Sequence, residues 1–529
     1  MNANPAAQPG GANGGWSTAM PTVIAILATV LLPRLFLLHV SVIDWDESIF
    51  ALIAQQWTHG HIPDELVFDH KPIGVYAIFA AFFLALGDTI WAIRVIPIVF
   101  VAATAALLAR LAFLQFGGDR MLAALAAALY GLLTLTNGGL ASNTEILVNL
   151  FVVLAICIIV AGGLDRSTSL VPGLLAGASL GVALQINYLS AILVMGVAGY
   201  YLAWMKPAGA ENRPVRRYLV NGTYMFCGFL LASLVAHLPI IIFGDLPAYF
   251  SMRAGYLSGY AGVPGGVALR RTAEALAPYW PFYMLALLLA LGAIPRKGSS
   301  RRWDTGESLA DRRVVAWLVV GGFAVWAAFA SRRFYGHFFL YSAPALVMLA
   351  VAFLRLAIPA GRLRNFCALW LALMAGTAVL HARDDLMRGY RAQVRVLAGA
   401  PADPVALTGE YMSKRLRPGE TIYVHDGQPI LYFVTRTVPP TRFAFPETHL
   451  NAEVAGRLGF TPDDAVRAIL ERKPRFIITR PPVDGAKLPE SDVRLHATLE
   501  RDYAPASDRE AGTPEHVYER KGIPRSPAP

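Results

Sequence analysis

Charge is what this sequence has least of. Only 16% of its 529 residues are Asp, Glu, Lys or Arg, against 55% hydrophobic, whereas a soluble domain carries about a quarter charged residues. The deficit is uneven. Between Pro21 and Leu380, apolar runs of roughly 18 to 25 residues follow one another, separated by short polar loops. Each is long enough to cross a hydrocarbon core of about 30 Å as a helix, which excludes a soluble fold for this part of the chain. Cysteine is scarce too. Cys157, Cys227 and Cys367 stand far apart in apolar runs, without metal-ligand spacing, and read as packing thiols. There is no Gly-rich phosphate loop, which argues against a nucleotide-driven pump. There is no Cys/His cluster for a structural metal, and no inverted pair of broken helices of the transporter kind. From Met1 to Ser17 there is no Lys or Arg. A signal peptide needs a basic n-region, so the expectation is a disordered tail at 1–19 and a retained first helix.

What is present has a clear order. The expected crossings are 20–41, 90–114, 120–137, 143–163, 170–187, 189–206, 216–243, 275–295, 312–331, 336–357 and 362–381, about eleven in all. Ile73–Leu86 is left out, because about 14 residues suit a re-entrant or interfacial helix better than a span. The net charge is +10, and its location matters more than its sum. Basic residues gather in Lys206–Arg217, Arg296–Arg313 and Arg355–Arg364, which the positive-inside rule assigns to the cytoplasm. Counting crossings from there puts Met1 inside. It puts Ser41–Lys71, Gly244–Glu274, Ser331–Gly336 and everything beyond His381 outside. After His381, charge and proline become frequent. Thr421–His425 and Arg475–Thr479 read as short buried strands, Pro429–Val434 and Ala465–Glu471 as helical or turn-like. The expected fold class is an all-α polytopic membrane domain over 20–381, with interfacial helices in the first outer loop. A small α/β domain follows over 382–521, on the outer side, and then a disordered tail at 522–529.

The first outer loop reads Ile43-Asp44-Trp45-Asp46-Glu47-Ser48 and ends Phe68-Asp69-His70-Lys71-Pro72. Two readings of its acids stand side by side. Asp44 and Glu47 have capping-box spacing, and acids favour a helix N-terminus. Trp45, Ile49, Ile53 and Trp57 would then form one apolar stripe on a helix lying at the interface. The cap does not need Asp46. A carboxylate at a low-dielectric boundary has a raised proton affinity, which suits a general base taking a proton from an acceptor hydroxyl. Cations collect on the same side: Lys71, Arg253, Arg270, Arg271, Arg332 and Arg333. After Ser331-Arg332-Arg333-Phe334-Tyr335-Gly336, helical spacing puts Arg333, His337 and Tyr341 on one face. Two arginines there can hold a phosphate with forked hydrogen bonds; snorkelling to lipid headgroups is the plainer alternative. Glu145 and Arg94 sit near the outer starts of their crossings, where ionisable groups imply function or a buried ion pair. Tyr249, Tyr256 and Tyr260 read mainly as interface anchors, with an acceptor groove as a second use.

These elements resemble the membrane glycosyltransferases related to protein O-mannosyltransferases and to the 4-amino-4-deoxy-L-arabinose lipid A transferase, whose fold is of the GT-C type. The resemblance runs from the first membrane helix to about Arg364. It rests on Asp46-Glu47, Asp69-His70-Lys71-Pro72, Arg94-Val95-Ile96-Pro97 and Arg333-Phe334-Tyr335-Gly336-His337-Phe338-Phe339. The chain departs from the family pattern at Ile73, where many members repeat proline, and at His70 inside the signature. The resemblance implies an inverting transferase in a bacterial inner membrane, its site and C-terminal domain facing the periplasm. The donor implied is a polyprenyl-phosphate sugar. The acceptor is a hydroxyl of lipid A or the lipopolysaccharide core, another glycan or a protein. It also implies that Asp46 is the catalytic base with Glu47 in support, and that Lys71, Arg332, Arg333 and His337 bind the donor phosphate. Asp69, Arg94, Glu145, Tyr335 and Tyr341 would support them. No cofactor is required; a divalent metal could sit among the outer acids, though no pattern calls for one. Nucleic acid is not an expected partner. Two rivals remain: a flippase of lipid-linked sugars, and a surface-polysaccharide polymerase or ligase. Asp46 in a large first loop, away from the bilayer midplane, weighs against the former.

Overall fold

The computed structural model describes residues 14–204, 214–260, 262–293, 311–358, 360–480, 488–506 and 516–522. Residues 1–13 and 523–529 of the expected disordered tails lie outside the described residues, as do 206–213 and 296–310 of the basic loops. The chain is a mainly helical, multi-pass membrane protein. Among the described residues six helices are long and apolar enough to cross: Ile90–Gln115, Thr144–Ala161, Val215–Phe243, Arg312–Ala330, Gly336–Leu356 and Gly361–Leu397. A seventh crossing is made if Gly265–Leu276 and Trp280–Leu291, bent by 89°, count as one. The other expected crossings fall on the shorter apolar helices Ala19–Leu35, Arg120–Leu133, Leu170–Leu184 and Ser190–Trp204. At 1.5 Å per residue these reach about 21–26 Å, short of a 30 Å core. Small residues let some of them pack tightly. At Gly177 an added Cβ would come within 1.7 Å of the Met225 carbonyl oxygen, so only glycine lets these two helices approach so closely.

Ile73–Leu86 forms a helix of 14 residues, and residues at both its ends bond to the outer loops or to the C-terminal domain. At its start the Ile73 N–H donates to the Tyr249 hydroxyl at 3.0 Å. Just past its end, Asp88 accepts from Gln55 Nε2 at 3.0 Å and from Arg436 at 3.1 Å. Gln55 belongs to the helix Trp45–Thr58, so the turn between Leu86 and Ile90 stays beside the same loop from which the chain set out.

The last expected crossing, 362–381, is part of a longer helix, Ala360–Leu397. The expected domain boundary at 381/382 therefore falls inside a helix. Polarity after His381 marks a change of surroundings but not a break in the backbone. Ala382 and Ala392 stay buried, and Gln393 donates to the Leu35 carbonyl at 2.9 Å. Beyond it lies a four-stranded sheet in the order β1-β2-β4-β3, with β1 Ile422–Val424, β2 Phe476–Ile478, β3 Tyr503–Pro505 and β4 Val517–Arg520. β1 pairs parallel with β2, and β4 pairs antiparallel with both β2 and β3. Strand alternation gives the sheet two jobs. Ile422, Val424, Phe476 and Ile478 join the core that is continuous with the membrane helices. Tyr423 and Ile477 face the other way, onto Val466, Ile469, Leu495 and Leu499. Phe433 fixes this domain to the helix Ile73–Leu86 by packing on Phe83 at 5.4 Å, and to the first loop by accepting at its carbonyl from Gln55 at 3.3 Å.

Candidate active site

The acidic loop ends in a helix, Trp45–Thr58, whose N-cap is Asp44 and whose third residue is Glu47, in a complete capping box. Glu47 has a further and larger task. It is fully buried, and its carboxylate receives both terminal nitrogens of Arg94, the Ser142 N–H at 3.0 Å and the Ile43 N–H at 2.7 Å. Arg94 in turn donates to the carbonyls of Val40 at 3.0 Å and Ser41 at 3.2 Å. A buried charge pair is stable only when its remaining hydrogen-bonding capacity is used, and here it is. The pair ties the first helix end, the interfacial helix and the helices beginning at Ile90 and Thr144 into one corner.

Asp46 points the other way, into an open cleft of about 530 Å³ lined also by Asp44, Lys71, His337, Tyr256, Tyr260, Tyr335, Phe445 and Glu447. Its Oδ2 lies 3.8 Å from Lys71 Nζ. Burial raises the proton affinity of Asp46 more than Lys71 lowers it, and the charge of Asp44 adds to the rise. Lys71 is buried, which disfavours its charge, yet the carboxylates of Asp46, Glu145 and Asp69 outweigh that and hold its pKa above the usual lysine value. Asp44 faces His337 Nδ1 at 3.6 Å and accepts from Asn143 at 3.2 Å. Burial opposes its charge, but these partners hold its carboxyl well below the ordinary range. Asp69 is likewise held low against its burial, by His70 at 3.0 Å, by Lys71, and by the Tyr76 hydroxyl donating at 2.9 Å. Among these acids Asp46 is therefore the one with an elevated proton affinity and an open face.

The far wall of the cleft is a stack. His70 lies on Tyr256 with centroids 4.4 Å apart, Tyr256 on Tyr260 at 5.6 Å, and the Arg333 guanidinium sits 3.8 Å above Tyr260. This column fixes Arg333 relative to Lys71, the neighbour of His70. Tyr256 is buried, and Tyr249 is buried under the Arg253 guanidinium at 3.5 Å. The expectation that these tyrosines anchor the chain at the lipid interface is thus corrected: flat rings on helix Leu246–Ser258 face inward.

The shared helix face of Arg333, His337 and Tyr341 is also corrected. Arg332 and Phe334 both take left-handed backbone angles, φ 55, so Arg333 sits in a tight turn, and Gly336–Ser342 is a 3-10 helix. Three residues per turn removes the register that spacing by four assumed. A bulky residue at positive φ is costly and marks a turn held by its surroundings. That turn aims Arg333 at Tyr260 and at Glu447, 3.3 Å away, and leaves Arg332 exposed, its carbonyl accepting from the Val263 N–H at 3.2 Å. His337 and Tyr335 still reach the cleft. Tyr341 and Glu145 are buried and outside its lining, and Glu145 accepts from Thr144 at 3.1 Å. Arg253, one of the outer cations, is spent on Asp64 at 2.5 Å. Reading the sequence missed Asp44 as a partner of His337, the turn at Asn137-Gly138, and Phe445 and Glu447. Nothing local marks the last two; only the docking of the C-terminal domain brings them in. No group of three or more His, Cys, Asp or Glu that could hold a metal is found among the described residues.

Residues 70–234 match the family model described as Dolichyl-phosphate-mannose-protein mannosyltransferase. No curated protein matches the chain. Among solved structures it is similar to ArnT from Cupriavidus metallidurans bound to undecaprenyl phosphate, at 14% identity and a TM-score of 0.57, covering 91% of this chain and 95% of that one. The apo state of the same enzyme gives 14% identity and a TM-score of 0.50, covering 93% of this chain and 95% of that one. At such identity the likeness is one of fold. The resemblance drawn from the sequence is borne out at the level of fold: the chain has the GT-C fold of ArnT, and its residues 70–234 match the mannosyltransferase family model.

Proposed function

We propose that the protein is an inverting glycosyltransferase that moves a sugar from a polyprenyl-phosphate donor to an acceptor hydroxyl. The charge argument above puts its site on the outer side of the membrane, and the family resemblance implies the periplasmic face of a bacterial inner membrane. The observation that carries this reading is Asp46 beside Lys71 in one open cleft that His337 also lines, with Arg333 held just behind the lining residues Tyr260 and Glu447. Asp46 takes the proton of the acceptor hydroxyl as its oxygen forms the new bond to the sugar's anomeric carbon. The bond from that carbon to the phosphate oxygen breaks, and lipid phosphate leaves with one more negative charge than the donor phosphate carried. Fixed cations and donors aimed at developing charge supply the main stabilisation; Lys71, Arg333 and His337 fill that role. The acceptor proposed is a hydroxyl of lipid A or the lipopolysaccharide core, another glycan or a protein side chain. That the similar ArnT structure is bound to undecaprenyl phosphate supports the donor class.

The test is chemical. Membranes containing the protein are incubated with a pool of polyprenyl-phosphate sugars, and the lipids are extracted and analysed by mass spectrometry. Transfer consumes a donor and yields an equal amount of free lipid phosphate. Intact donor moved across the bilayer, with no lipid phosphate formed, would replace this reading with that of a flippase.

A further inference from the structure

Glu447 is a carboxylate that the C-terminal domain brings to the cleft. It sits in the first turn of the short helix Pro446–Leu450, and the segment before it is rigidly held. The Phe443 carbonyl can only accept, so His449 Nδ1, 2.8 Å away, is the donor. His449 Nε2 is then free to accept from the Tyr423 hydroxyl at 3.1 Å. Tyr423 continues to His425 at 2.8 Å, and His425 to Asp492 at 3.1 Å. His449 and Tyr423 are fully buried. This relay runs from the sheet to the loop and holds the backbone on both sides of Glu447.

Glu447 points at Arg333. The contact is loose, 3.3 Å from Oε1 to Nη2, with Glu447 still 32% exposed and Arg333 only 11%. Arg333 Nε is buried and has no hydrogen-bond partner. Arg333 lies behind the cleft's lining, and its Nη2 meets the lining residue Glu447, so an anion in the cleft reaches Arg333 where Glu447 now contacts it.

Building on the proposed transfer reaction, we infer that Glu447 competes with the lipid phosphate for Arg333 and thereby promotes product release. The donor phosphate is a diester with one negative charge. The product is a monoester with a charge near −2 at neutral pH, about −1.5 to −2 for such groups. The cations that stabilise the leaving group therefore hold the product more tightly than the donor. A fixed carboxylate beside Arg333 repels the product about twice as strongly as the donor, since Coulomb energy scales with charge. It also offers Arg333 a partner once the phosphate goes. Glu447 thus narrows the gap between donor and product affinity without touching the sugar.

Binding to the purified full-length protein tests this with two lipids: undecaprenyl phosphate, and its methyl ester, a monoanionic diester with the same tail. Glu447→Gln is expected to bind undecaprenyl phosphate about fivefold tighter than wild type, the scale of a partly exposed ion pair, and the methyl ester about twofold tighter. Glu447→Asp keeps the charge and stays near wild type, which separates charge from a disturbed loop. In an Arg333→Ala background the tightening by Glu447→Gln shrinks, because the competition for Arg333 is gone and only direct repulsion between Glu447 and the phosphate is left. Equal tightening of both lipids, no tightening, or weaker binding by Glu447→Gln would overturn the inference while leaving the transfer reaction standing, provided wild type binds both. If wild type binds neither lipid, the transfer reading fails and the inference goes with it.

Discussion

Asp46 and Glu47 are neighbours in the chain, and each faces a cation, yet the two regions they belong to are built on opposite terms. On a helix, consecutive side chains project about 100° apart, so one turns to the cleft and the other to the core. Glu47 is closed in by Arg94 and three backbone N–H groups. Asp46 has one cation at 3.8 Å and an open face. The difference teaches a usable rule: a carboxylate whose acceptor sites are all filled holds structure, and one left partly unfilled beside a cavity is free for chemistry.

The sharpest way to break the comparison is to remove one member of the closed pair. Arg94→Met leaves Glu47 charged and buried without its main partner, and the expected cost is about 3–5 kcal/mol of stability. Thermal unfolding in detergent reads this, and Glu47→Gln combined with Arg94→Met should regain much of the loss. A wild-type melting temperature for Arg94→Met would show that the corner does not hold the fold.

Lys71→Met probes the open pair. It is expected to weaken donor binding about tenfold to a hundredfold, the loss of a charge-assisted hydrogen bond, with a smaller change in melting temperature than Arg94→Met. It also sharpens the acid–base assignment. Asp46 must be ionised to act as a base, and burial sets its pKa above the ordinary carboxylate value. The rate therefore falls as pH drops through that raised pKa. Because Lys71 lowers the pKa of Asp46, removing it should move the acidic limb of the pH–rate profile upward. A limb that stays in place would take Asp46 out of the base role.

The smallest expected effect belongs to the aromatic column. Tyr260→Leu removes the ring under Arg333. A cation–π contact is worth about 0.5–1 kcal/mol at partly exposed sites, so the donor KM should rise a few fold while kcat changes less. An unchanged KM would mean that the turn at Arg332–Phe334 aims Arg333 without help from the ring.

Legibility in the sequence followed the range of the interaction. Helices were readable because apolar runs are local, and each expected crossing coincides with a helix, although Ala360–Leu397 overran its expected end. The strands at 421–425 and 475–479 were also readable as β-branched apolar runs, and appear as Ile422–Val424 and Phe476–Ile478. β3 and β4 were not, because Tyr503–Pro505 and Val517–Arg520 have no continuous apolar run and gain their partners across the sheet. At the site, Asp46 and Lys71 were found because acids and bases at a membrane boundary are costly. The capping box at Asp44 and Glu47 was equally visible from spacing. Arg333 was found for a wrong geometric reason, since no helical face joins it to His337. Glu447 and Phe445 were invisible, because their place in the cleft depends on contacts some 400 residues apart in sequence, such as Trp45 with Phe445 at 6.0 Å.

The central claim is that Asp46 does chemistry and not capping. The most direct measurement is donor turnover by purified Asp46→Asn, scored as lipid phosphate released per folded protein. Removing a general base costs about 10²–10⁴ in rate, so the expected result is a loss of that size in kcat with the melting temperature of wild type, because Asp44 supplies the cap. Turnover equal to wild type in a correctly folded variant would contradict the account and return Asp46 to the helix end as a bystander.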